Sequence, residues 1–76
     1  MVRKLTQAEV QFIKYQLGLG SSFTDLLIKT IMHADEVNSM LLRLGFPDLV
    51  STVDRYRNEA GYWEQLQLDW EDSKGQ

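Results

Sequence analysis

Few side chains in this sequence are equipped to transform a substrate. His33 is the only residue with a reference pKa near neutrality, and Asp35 and Glu36 follow it closely. Residues two apart on a helix point in different directions, so His33 and Asp35 do not form an acid–base pair, and His33 reads as a structural or surface residue. The serines and threonines then have no histidine base with which to assemble a hydrolytic triad. Cysteine is absent, which removes disulfides, thiolate zinc sites and cysteine nucleophiles together. Asp35 and Glu36 lack a ligand ring at EF-hand spacing and read as a solvated helix start. Gly18 and Gly20 have the spacing that opens a phosphate-binding loop, but the third glycine would fall at Phe23, no strand precedes it, and no lysine is placed to reach a phosphate. The sequence therefore predicts no catalytic, cofactor-binding or metal-ligating residue, no cofactor, and a protein that is not an enzyme.

Recognition chemistry is better represented. Tyr56, Tyr62, Trp63 and Trp70 lie within fifteen residues of one another, flanked by Arg55 and Arg57. Tyrosine, tryptophan and arginine are the types enriched at binding hot spots, so Arg55, Arg57, Tyr62, Trp63 and Trp70 are the candidate partner-binding residues. A small core would also use such aromatics, and core packing is the preferred reading of Trp63. Trp70, near an acidic end, divides evenly between packing and contact. Arg55 and Arg57 also allow a second reading, a small helix-turn-helix that reaches DNA phosphates. A net charge of -3, and Asp48 and Asp54 on the same predicted helix, disfavour a nucleic-acid partner.

The elements that must position these groups are helical. Thr6 and Glu9 have capping-box spacing, Leu5 and Val10 that of a hydrophobic staple, and Gly18 supplies the stop, which predicts a helix over about 7–17. Ser22 with Asp25 repeats the capping pattern for a second helix. From Phe23 the apolar residues Leu26, Leu27, Thr30, Ile31, Ala34, Val37, Leu41 and Leu44 continue a 3–4 spacing, which reads as one long helix or two. Asp35 is a candidate internal N-cap, which favours a break near 33–35. With Ile28 and Met32 on the flank of this stripe, its first part is predicted to occupy the centre of the bundle. Gly45, read as a left-handed stop, and Pro47 mark the next boundary, and Pro47 opens a helix over about 47–58 with Leu49, Val50, Val53 and Tyr56 inward. Residues 62–70 fit either a helix or an alternating strand, and helix is favoured because a lone strand would lack a partner.

Seventy-six residues with 43% hydrophobic content make one small domain, near the lower limit for independent stability, spanning 1–76 with frayed ends at about 1–4 and 71–76. No apolar run exceeds three residues and no signal-like segment opens the chain, so a cytoplasmic protein with no membrane association is expected. Ala34-Asp35, Asn38, Leu41 to Leu44, Phe46-Pro47, Val50, Val53, Tyr56 and Gly61-Tyr62-Trp63 resemble a pattern in small uncharacterised helical proteins of temperate phages and bacterial mobile elements. The resemblance covers about half the chain, and implies an accessory role that modulates a host or phage complex. The sequence thus predicts an all-α, compact bundle of four to five short helices. It acts as a non-enzymatic interaction or regulatory module that binds another protein, or a second copy of itself, through its carboxyl-terminal half.

Overall fold

Each helix begins and ends where local chemistry dictates, and the computed structural model describes residues 4–74. Helix α1 (Gln7–Gln16) starts from the predicted capping box: Thr6 Oγ1 accepts the Glu9 amide at 3.1 Å, and Glu9 Oε1 accepts the Thr6 amide at 3.0 Å. It closes in a Schellman motif, with the Leu19 amide donating to the Lys14 carbonyl and the Gly18 amide to that of Tyr15. Gly18 has φ of 75°, a conformation that a Cβ would strain.

Helix α2 (Ser22–His33) is capped one residue earlier than predicted. The Thr24 amide donates to the Ser21 hydroxyl, which leaves Ser22 as the first helical residue. The break near 33–35 is present: Ala34 and Asp35 are extended, and Asp35 Oδ1 accepts the Asn38 amide at 2.8 Å to open α3 (Glu36–Gly45). Phe46, at φ -135° and ψ 58°, turns the chain, and Pro47 begins α4 (Pro47–Asn58). Gly61 then leads into α5 (Tyr62–Lys74). The helical option for residues 62–70 is the correct one, because a 3.6-residue period buries Tyr62, Leu66 and Asp69 while Leu68 stays exposed.

Three expectations are corrected. Gly45 is not a left-handed stop: it is the last residue of α3, its φ is not positive, and a Cβ there would meet nothing within 4 Å. Phe46 makes the turn in its place. Gly45→Ala is therefore expected to leave the melting temperature unchanged or raise it, by up to about 1 kcal/mol of stability, which a thermal melt would measure. Where fraying is expected from about residue 71, α5 is helical through residue 74, and Ser73 donates a hydrogen bond to the Trp70 carbonyl. Of the predicted frayed ends, residues 1–3 and 75–76 lie outside the described residues.

The third correction concerns the centre of the bundle, which is α4 and not α2. Helix α4 packs against α1, α2, α3 and α5 and buries Leu49, Val50, Thr52 and Val53. The Thr52 hydroxyl satisfies itself on the Asp48 carbonyl at 2.9 Å. Phe12 of α1, fully buried, lies at the middle of the aromatic packing, 4.9 Å from the Tyr56 ring and 6.0 Å from that of Trp63. Helix α2 contributes Ile28 and Ile31 to this core and turns Phe23 and Leu26 outward. Helix α3 contributes no fully buried residue. The result is a flat all-α bundle of 39 × 26 × 17 Å, with a radius of gyration of 12.6 Å against about 11.4 Å for an ordinary domain of this length. Its accessible surface of 5311 Å² likewise exceeds the roughly 4,800 Å² characteristic of a monomer of this mass.

Candidate interaction surface

The aromatic and arginine residues singled out in the sequence come together, but as supports of the core. Tyr62 is 5% exposed, and its hydroxyl donates to Glu9 Oε2 at 2.6 Å. Glu9, itself buried, therefore spends one carboxylate oxygen on its own helix cap and the other on α5. Arg55 lies over the Tyr62 ring, 4.3 Å from its centroid, and chelates Glu59 through Nε at 2.9 Å and Nη2 at 3.2 Å. Its Nη1 is 4.0 Å from Glu9. The hydrogen bond that Arg55 donates to Glu59 is the main cause that raises the Arg55 pKa above its already high ordinary value; desolvation opposes this, and the nearby Tyr62, Glu59 and Glu9 add to it. A raised pKa keeps the charge, and whatever stability it contributes, in place until pH passes the arginine range.

Trp63 is half-buried and stands edge-on to Phe12 and Tyr56. Trp70 is half-buried and packs against the same core. Core packing is the reading the sequence prefers for Trp63, and Tyr62 and Trp70 pack in the same way: α5 uses these side chains to cover α1 and α4. Arg57 is exposed and reaches the Met32 carbonyl at 3.4 Å. Nor do the arginines form a free basic strip. Arg43 is paired with Asp54 at 2.6 Å and Arg55 with Glu59.

The open surface lies instead on α2 and α3. Phe23, Leu26, Val37, Met40, Leu41 and Leu44 are each between 60% and 83% exposed. Val37, Met40, Leu41 and Leu44 fall within one narrow arc of α3, opposite Leu42, which packs toward the core. Between the two helices runs a trough of adjoining depressions. One, of about 280 Å³, is lined by Thr30, Asn38, Leu41, Leu42, Gly45 and Phe46. It shares Thr30 and Asn38 with a second depression that reaches Leu26, Lys29, His33 and Ala34, and it shares Gly45 and Phe46 with a third that reaches Phe23 and Leu27. All six exposed apolar side chains leave well over half of their surface to water.

The rim is charged with both signs. Lys29 and His33 border the α2 side of the trough. On the far edge of the α3 stripe, Glu36, Ser39, Met40 and Arg43 line a separate shallow depression. No three His, Asp or Glu side chains among the described residues are grouped to hold a metal ion, and no helix is long and apolar enough to cross a membrane.

Sequence reasoning places the α3 stripe in the core because its spacing matches that of a buried face. The signal that separates the two cases is the cap at Asp35. A stripe that runs unbroken through a helix break belongs to two rods, and both need not turn the same side inward. The surface must be interpreted from its own chemistry: protein-family models, curated proteins and solved structures give no match to this chain.

Proposed function

We propose that this protein is a non-enzymatic interaction module whose docking surface is the apolar α2–α3 face. The observation that carries this reading is the exposure of Phe23, Leu26 and Leu41 along a trough lined by Gly45 and Phe46, with Val37, Met40 and Leu44 exposed on the same helix as Leu41. Leaving such side chains in water forgoes about 25 cal/mol for each Å² that a partner would cover. An aliphatic surface with a polar rim is the composition of an interface centre, where a helix or a second bundle inserts apolar anchors. The cytoplasmic setting and the accessory role in a phage or host complex, which the family resemblance implies, belong to the same proposal. The helix-turn-helix alternative has less support, since Arg43 and Arg55 each bind a carboxylate of the same fold and form no continuous basic strip.

Leu41→Glu tests this reading. Leu41 is solvent-facing, so the substitution is expected to change folding stability by no more than about 0.5 kcal/mol, while placing a charge at the middle of the face. Wild-type protein immobilised in an extract of its native host, or mixed with a tagged second copy of itself, is expected to retain a discrete partner, and Leu41→Glu to lose at least tenfold of that capture while circular dichroism shows the fold retained. Equal capture by both would reject the α2–α3 face as the docking surface.

A further inference from the structure

Resting on that reading of the α2–α3 face, we infer that its occupant is a second copy of this chain, joined by antiparallel pairing of α3 with its symmetry mate. The pattern of charges along α3 selects this occupant. Glu36, in the first turn, and Arg43, in the last, lie one heptad apart on the same edge of the apolar stripe, and Met40 lies between them. In an antiparallel pair, equivalent edges face each other, which sets Glu36 of each copy against Arg43 of the other. A two-fold axis repeats the contact, giving two ion pairs around an apolar seam. A parallel pair would instead set this edge against the opposite edge of the mate, where Glu36 and Arg43 would not meet. Arg43 engages Asp54 through Nη2 and keeps its side chain 49% exposed, which leaves it open to a second carboxylate. Antiparallel alignment also opposes the two helix dipoles favourably.

Exposure along α3 leads to the same occupant. Val37, Met40, Leu41 and Leu44 are each between 60% and 83% exposed, and a mate laid along α3 covers all four at once. Helix α3, with no fully buried residue of its own, gains its missing cover from the mate.

Because the chain has no cysteine, single-cysteine variants of the full-length protein report this geometry directly. The two-fold axis falls near residues 39 and 40, so Met40→Cys is expected to form a disulfide-linked dimer in a glutathione redox buffer. In the same arrangement the two copies of residue 36 are about 10 Å apart along the helix axis, beyond the roughly 7 Å that a disulfide can span. Glu36→Cys alone is expected to cross-link at least tenfold less, and the double variant Glu36→Cys/Arg43→Cys to cross-link as a dimer. Sedimentation equilibrium of the unmodified chain is expected to give twice 8.8 kDa. All three substituted side chains are solvent-facing, and circular dichroism checks that the fold is retained. Cross-linking as strong at residue 36 as at residue 40, or a monomeric mass with no Met40→Cys dimer, would overturn the inference. If the dimer fails while Leu41→Glu still abolishes capture of a host protein, only the identity of the occupant is wrong. If capture is also indifferent to Leu41→Glu, the docking reading falls with it.

Discussion

Replacing Phe12 by alanine is expected to remove about 3–5 kcal/mol of folding stability, the usual cost of deleting a fully buried aromatic ring. The whole domain has roughly 4–11 kcal/mol to lose at typical stability per residue, so this single change consumes a large fraction of it. The ring is held by three aromatic neighbours, Tyr15, Tyr56 and Trp63, contributed by α1, α4 and α5. Those elements are joined to one another across the bundle, and the space left by the ring cannot close without moving a helix. A thermal melt is expected to shift down by roughly 12 °C or more, with loss of the near-ultraviolet signal of Trp63. Phe12→Leu, which keeps most of the volume, should cost much less. A loss below about 1 kcal/mol for the alanine variant would show that the aromatic cluster is not the core.

The second large effect concerns Glu9, and it separates a polar link from simple packing. Its carboxylate closes the α1 cap and accepts the buried Tyr62 hydroxyl at 2.6 Å, with Arg55 beside it. Glu9→Ala removes a cap contact of about 1 kcal/mol and leaves the Tyr62 hydroxyl without that acceptor, a further penalty of about 1–3 kcal/mol. The total expected is roughly 2–4 kcal/mol. Tyr62→Phe isolates the tertiary half of the link, because the ring stays and only the donor is lost. In a double-mutant cycle the two substitutions should be coupled by about 1.5–3 kcal/mol, the range for a hydrogen bond to a charged group. Additive losses would mean that the hydroxyl and the carboxylate act independently, and that α5 is held by its apolar residues alone.

How far the fold was legible follows from the range of the interactions involved. The Thr6–Glu9 box, the Gly18 stop, the Asp35 cap and the Pro47 start are decided within a few residues, and each is visible in the sequence. Where two adjacent residues compete for one local role, sequence alone is weaker. Ser21 rather than Ser22 caps α2, and Phe46 rather than Gly45 makes the turn before α4. Which side of an apolar helix faces inward is not a local property. Helix α2 is apolar over a wide arc, and only packing against α1 and α4 selects Ile28 and Ile31 over Phe23 and Leu26. The same limit applies to the candidate site. Residue type correctly marks tyrosine, tryptophan and arginine as strong interaction groups, but in this chain their interactions are with Glu9, Phe12 and Glu59 of the same molecule. The exposed aliphatic stripe on α3 has the spacing of a core helix, and only the tertiary structure reveals that its own chain leaves it uncovered.

Amide hydrogen exchange, compared between dilute monomeric protein and the associated state, tests most directly which surface this molecule uses. Slowed exchange concentrated in residues 22–46, with 62–74 unaltered, is the outcome that fits a face built from α2 and α3. Protection appearing instead over Tyr62, Trp63 and Trp70, or nowhere on association, would contradict it.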